Sequence, residues 1–165
     1  MDDPAVTKEA DSLARRVLLP DGAEAARLIV CEHGGGWAVG LRRELAGEEV
    51  HLCETRSLAQ CWETLGENPA GLVVVELTTA NVDELLGRMV RLGRDFPLAR
   101  VAIVADRRLA GYEWLMREAG AVHFVCSPRQ LGPLAEVARR HLDQAPVPRR
   151  SVTERIWASL PWGSR

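Results

Sequence analysis

The sequence predicts one doubly wound α/β domain, in which helices cover both faces of a five-stranded parallel sheet. Three observations lead to this prediction. From position 27 onward, short β-branched runs alternate with helical patterns of roughly ten to fourteen residues. The runs are apolar almost throughout, which is typical of strands that are buried on both faces. A length of 165 residues suits a single domain with a well-buried core.

The first strand is predicted over Leu28–Cys31 and the second over Val50–Cys53. Between them, the glycines Gly34–Gly36 precede a helix with an apolar residue at every fourth position. The next helix begins with a capping box, Ser57–Gln60, and ends at Asn68-Pro69.

The third strand, Leu72–Leu77, is the most apolar run and is therefore expected at the centre of the sheet. The fourth strand is predicted over Val101–Ala105, and its helix stops at Gly120 as a C-terminal cap. The fifth is Val122–Cys126, followed by a helix over Gln130–Leu142. Five units of this size predict a flavodoxin-like fold with strand order 2-1-3-4-5, whose ligands bind at the carboxyl ends of the central strands.

The pattern divides the chain into three segments. Residues 1–26 carry one short helical pattern and are expected to be an N-terminal helical extension, and residues 27–142 form the α/β domain. Residues 143–165 combine a linker rich in proline and arginine with a short amphipathic peptide.

Charge and composition exclude several classes of function and location. The chain has 21 basic and 23 acidic residues and a net charge of -2, so no overall positive field would attract nucleic acid or an anionic membrane. No apolar run is long enough for a membrane span, and the acidic N-terminus is unlike a signal peptide. Four cysteines without CxxC pairing indicate reduced, buried thiols. We therefore expect a cytoplasmic protein.

Three segments of the predicted sheet resemble a known family. Residues Arg27–Glu32, Leu72–Leu77 and Ala119–Pro128 resemble the first strand, the acceptor strand and the last strand with its loop in the receiver domains of bacterial two-component response regulators. The resemblance covers about residues 27–142. It implies a signalling domain in which Mg²⁺ and an acceptor aspartate take up a phosphoryl group.

The functional positions of that family carry altered residues in this chain. Receivers have two acids after the first strand, an acceptor aspartate in the third, a small hydroxyl residue ending the fourth and a lysine after the fifth. The corresponding residues are Cys31, Glu32, Glu76, Ala105 and Ser127. The resemblance therefore implies a receiver that has lost aspartyl phosphorylation, binds no metal or cofactor, is not an enzyme and acts through protein partners.

Further expectations follow from the resemblance. Phe124 corresponds to the aromatic switch residue of receivers, although a ring in a buried strand is more often simply core. Ser127-Pro128 corresponds to a cis peptide in the family. Receivers often pair through their last two helices, so a homodimer through Trp114 is a hypothesis that the resemblance supplies.

The C-terminal peptide is the second candidate for partner binding. Its apolar and aromatic residues follow a basic linker, as in peptides that dock into a groove on a partner. The alternative is that this segment folds back onto its own domain. The candidate docking residues are Ile156, Trp157, Leu160 and Trp162.

Two rival interpretations concern small ligands. Gly34, Gly36 and Gly40 follow a strand and open a helix, and Glu54 occupies the place of a ribose-binding acid, so a nucleotide-binding Rossmann-like protein is the alternative function. The second rival interpretation is a metal site or a thiol nucleophile formed by three cysteines and one histidine, but the spacing of these residues matches no usual zinc motif. They are Cys31, His33, Cys53 and Cys126.

Overall fold

The structure, a computed structural model, describes residues 26–146. The strands are β1 (Leu28–Cys31), β2 (Leu52–Thr55), β3 (Leu72–Leu77), β4 (Arg100–Ala105) and β5 (Ala121–Val125). The helices are α1 (Gly36–Glu44), α2 (Leu58–Glu67), α3 (Val82–Asp95), α4 (Glu113–Glu118) and α5 (Gly132–Gln144), with a 3-10 helix over Arg107–Tyr112. The predicted N-terminal extension and the C-terminal peptide lie outside the described residues.

The five strands form one parallel sheet in the order β2-β1-β3-β4-β5, which confirms the predicted fold and the central place of β3. Side chains of β3 alternate between two core layers. Val73 and Val75 pack with α2, α3 and α4, while Leu72 and Val74 pack with α1 and α5. Burial on both faces explains why five of the six residues of this strand are apolar, with Glu76 as the exception.

The second strand lies two residues later than predicted. Val50 and His51 precede it, and the ladder with β1 pairs Leu28 with Leu52 and Cys31 with Thr55. The polar residues at its end concealed this boundary, because Glu54 and Thr55 interrupt the apolar run. Yet Thr55 is fully buried, and Glu54 lies on the edge strand, where arginines reach it.

Smaller differences occur at the helix ends. Ser57 Oγ accepts a hydrogen bond from the Gln60 N–H at 3.2 Å, as the capping box predicts, but Gln60 Oε1 accepts from the N–H of Arg56 rather than of Ser57. Gly120 has the left-handed φ of 106° expected of a helix-ending glycine. Strand β5 begins one residue earlier than predicted, and α5 runs two residues later at each end. No helix in residues 26–146 is long and apolar enough to cross a membrane.

Gly40 holds α1 close to the loop before α5. A Cβ atom at this position would lie 2.5 Å from Cδ1 of the buried Leu131. Gly40→Ala should therefore lower the free energy of unfolding by about 1 kcal/mol, because overpacking outweighs the gain in helix propensity. Gly87→Ala, in α3 with open space around it, should raise that free energy by about 0.5–1 kcal/mol. Urea denaturation measures both, and a stabilised Gly40→Ala variant would contradict the packing role.

Candidate functional site

The carboxyl ends of the strands open into a cleft of about 700 Å³. Four of the five predicted site positions line it: Glu32, Glu76, Ala105 and Ser127. Cys31 does not, because it packs in the core layer beside α2 and α3. The sheet topology thus brings the predicted positions together at one edge, apart from the cysteine.

Glu32 is the most deeply buried of the cleft acids, with 1% of its surface exposed. Its two carboxylate oxygens accept hydrogen bonds from the backbone N–H groups of Trp37, at 2.9 Å, and Ala38, at 2.7 Å. These donors belong to the first turn of α1, whose N-cap residue, Gly35, has no side chain that could accept them. The Glu32 carboxylate therefore caps α1 and faces the positive end of the helix dipole.

Glu76 lies near the end of β3, with about a quarter of its side chain exposed. Its Oε2 accepts a hydrogen bond from the backbone N–H of His33 at 2.9 Å, and His33 Nδ1 lies 3.6 Å from the same oxygen. The backbone carbonyl of Glu76 accepts from Asn81 Nδ2, which closes the loop after β3. Glu76 thus binds the β1–α1 loop at His33, whereas Glu32 binds the first turn of α1.

The loops after β4 and β5 complete the cleft. Ala105 offers only a methyl group, and Ser127 Oγ accepts a long hydrogen bond from the Arg129 N–H at 3.4 Å. The sequence interpretation missed Asp106, Arg107 and Arg129, which also line the cleft. Asp106 is exposed and caps the 3-10 helix by accepting from the Arg108 N–H.

The Ser127-Pro128 peptide differs from the expectation. None of the described peptide bonds is cis, so the cis peptide implied by the resemblance is wrong for this chain. In receivers the residue before this proline is the lysine that binds the phosphoryl group. In this chain Ser127 precedes the proline and belongs to a local turn, in which its carbonyl accepts from the Gln130 N–H at 3.0 Å.

The cleft does not fit Mg²⁺. A magnesium ion needs several free oxygen ligands in an octahedral arrangement. The Glu32 oxygens accept two backbone hydrogen bonds instead, and Cys31 offers no oxygen. Within residues 26–146, no three His, Cys, Asp or Glu side chains are grouped so that they could hold a metal ion.

The glycine motif of the nucleotide alternative is present, but its surroundings differ from a dinucleotide site. In such folds the pyrophosphate binds at the N-terminus of the first helix. The Glu32 carboxylate already accepts the N–H groups there. The candidate ribose acid, Glu54, is bound by Arg42 at 2.6 Å and Arg56 at 3.0 Å. Gly40 serves helix packing, as described above.

Of the remaining candidate residues that the structure describes, one lies in the core and one on the surface. Phe124 is 7% exposed and packs in the core layer of α2, α3 and α4. Trp114 on α4 is 72% exposed, and its neighbour Leu115 is 37% exposed. The predicted docking residues of the C-terminal peptide lie outside the described part of the chain. They are Ile156, Trp157, Leu160 and Trp162.

Comparison with known proteins gives similarity in structure only. No protein-family model and no curated protein matches the chain. The CheY-like protein TadZ from Pseudomonas aeruginosa is 19% identical with a TM-score of 0.57, covering 70% of this chain and 98% of its own. An orphan response regulator of H. pylori is 19% identical with a TM-score of 0.58, covering 74% and 99%. A pilus assembly-related protein from Burkholderia pseudomallei is 17% identical with a TM-score of 0.51, covering 77% and 96%. The chain has the fold of response-regulator receiver domains.

Proposed function

We propose that this chain is a phosphorylation-independent, receiver-like module that binds protein partners in bacterial signalling or scaffolding and performs no catalysis. The observation that carries the proposal is the position of the Glu32 carboxylate. By the resemblance, Glu32 corresponds to a metal-binding acid of receivers, but both of its oxygens accept backbone N–H groups of α1. A carboxylate held in this way stabilises the first turn of α1, and a metal ion would have to compete with both hydrogen bonds.

The other site residues support the same function. Glu76 replaces the acceptor aspartate, and its extra carbon–carbon bond moves the carboxylate by about 1.5 Å, which in-line attack tolerates poorly. Its oxygen is also engaged by the His33 N–H. Ala105 lacks the hydroxyl and Ser127 lacks the ammonium group that would hold a phosphoryl group at these two positions.

The exposed face of α4 is the proposed contact surface within the described residues. An exposed tryptophan next to a partly exposed leucine is typical of interface anchors, since Trp contributes more than most residues to binding free energy. The receiver fold also occurs in an orphan response regulator and in a pilus assembly-related protein, which are regulatory and assembly settings. We propose that Trp114 anchors a homodimer or a partner protein, and that the C-terminal peptide adds a second contact.

Self-association tests the α4 surface. Sedimentation of the full chain should show a reversible dimer at high micromolar concentration, and Trp114→Ala should weaken it by roughly tenfold or more. Val39→Ala is a matched control, because Val39 is 55% exposed on α1, on the opposite side of the sheet, and should leave the dimer unchanged. A wild-type monomer at every concentration would remove the homodimer from the proposal.

Nucleotide binding is the alternative, favoured only by the glycine spacing before and within α1. A nucleotide that binds the folded state would raise the melting temperature of the protein. We expect NAD and ATP to leave it unchanged, because the Glu32 carboxylate would repel a pyrophosphate at the α1 N-terminus.

A further inference from the structure

Two exposed arginines line the cleft on the side of β4 and β5. Arg107 begins the 3-10 helix that follows β4, and Arg129 lies in the loop that follows β5. Short turns hold the backbone at both positions. The Asp106 side chain caps the 3-10 helix, and the Ser127 carbonyl closes the turn that contains Arg129. The two guanidinium groups therefore start from fixed points at the mouth of the cleft.

These two arginines differ from most of the others in the described part of the chain. Elsewhere the guanidinium groups bind carboxylates or backbone carbonyls, as Arg88 binds Glu84 at 2.8 Å. Within residues 26–146, the guanidinium groups of Arg107 and Arg129 make no hydrogen bond or ion pair, and only Arg43 shares this property. Two positive charges without a counter-charge thus lie along one cleft.

The acids of the cleft do not neutralise the two arginines. Glu32, Glu76 and Asp106 line the same cleft, but each already accepts a hydrogen bond from a backbone N–H group. Among the described residues, none of these acids forms an ion pair with Arg107 or Arg129. The arginines remain available to an anion that comes from outside the domain.

The position of the acids decides which anion fits. Glu32 and Glu76 lie at the strand ends, so a doubly charged phosphoryl group would be repelled as it approached the sheet. A carboxylate carries a single charge, and a guanidinium group binds its two oxygens with two parallel hydrogen bonds. Gly34 and Gly36 also line the cleft, and a Cβ atom at either position would meet nothing within 4 Å. The glycine loop therefore leaves room for an entering side chain.

We propose that Arg107 and Arg129 form an anion site that holds a glutamate or aspartate side chain of a partner protein at the mouth of the cleft. This inference rests on the proposed function, partner binding without phosphorylation, and it names the chemistry of the partner as an exposed acidic segment. No metal takes part and no covalent bond forms. Single exposed ion pairs contribute little, so binding depends on both arginines and weakens as salt rises.

The test is an NMR titration of the full chain with a hexaglutamate peptide whose termini are blocked. We expect saturable shifts at the backbone amides and side-chain Nε–H groups of Arg107 and Arg129, smaller at high salt, and no shifts with blocked hexaglutamine. Inorganic phosphate should bind more weakly than hexaglutamate. Tighter binding of phosphate at the same groups would overturn the assignment to a carboxylate, and absence of hexaglutamate binding would overturn the site.

Variants show whether the site is specific. Arg107→Gln and Arg129→Gln should each weaken hexaglutamate binding about three- to fivefold. Arg43→Gln removes the same charge from the far end of α1, outside the cleft, and should leave binding unchanged. An equal loss in Arg43→Gln would mean that the peptide responds to overall charge, which contradicts the proposal.

This outcome is separate from that of the proposed function. Saturable shifts at Glu32 and Glu76 with Mg²⁺ and beryllofluoride would contradict the loss of phosphorylation, whatever hexaglutamate does. Failure of hexaglutamate to bind would remove the acidic partner and leave that loss unaffected.

Discussion

Replacing Glu32 with glutamine should lower the free energy of unfolding by about 1–3 kcal/mol, although the two side chains have nearly the same shape. The carboxylate accepts the N–H groups of Trp37 and Ala38 with separate oxygens. An amide keeps one acceptor and turns an NH₂ group toward the second N–H, leaving that buried donor unpaired. It also removes the negative charge from the positive end of the helix dipole. Urea denaturation followed by tryptophan fluorescence measures the change.

The control for this prediction is Glu63→Gln. Glu63 is exposed on α2 and makes no hydrogen bond or ion pair with the other described residues, so its loss should change stability by less than about 0.5 kcal/mol. If Glu32 were instead a metal-site acid without a cation, its removal would relieve repulsion and stabilise the protein. An unchanged or stabilised Glu32→Gln variant would therefore contradict the capping role.

Met116→Ala should destabilise the domain by about 2–5 kcal/mol, whereas Trp114→Ala, two residues away on the same short helix, should change stability by less than about 0.5 kcal/mol. Met116 is fully buried and attaches α4 to the core, while Trp114 is 72% exposed. The large ring of Trp114 therefore contributes little to folding. Replacing Trp114 should instead weaken the proposed self-association of the chain.

Thermal and urea unfolding of both variants provide the measurement. A substantial loss of stability in Trp114→Ala would mean that the tryptophan belongs to the fold, and a weaker dimer in that variant could then reflect damage to α4. Similar stability of Trp114→Ala and wild type makes the sedimentation result a direct report on the contact surface.

The sheet could be predicted from the sequence because its strands are buried on both faces. Apolar runs such as Leu28–Cys31 and Leu72–Leu77, the latter interrupted only by Glu76, have boundaries that agree with the structure. Strand β2 was misplaced because an edge strand tolerates Glu54, and because Thr55 is buried despite its polarity. Hydrophobic pattern alone does not distinguish a polar strand residue from a loop residue.

The site was harder to predict, because its chemistry depends on which atoms the side chains reach. The sequence placed Glu32 at the strand end but not its bonds to α1. An acid shortly before a glycine-initiated helix was the available signal, since glycine cannot cap with a side chain.

The most direct test of the proposed loss of phosphorylation chemistry is an NMR titration of the full chain with Mg²⁺ and beryllofluoride, which imitates a phosphoryl group. The amides of Glu32, Glu76 and Ser127 report on the cleft, because these residues line it. The proposed function predicts no saturable shifts at these amides, since the Glu32 oxygens are engaged by α1. Saturable shifts at all three amides would show that a phosphoryl pocket still forms, and would contradict the account.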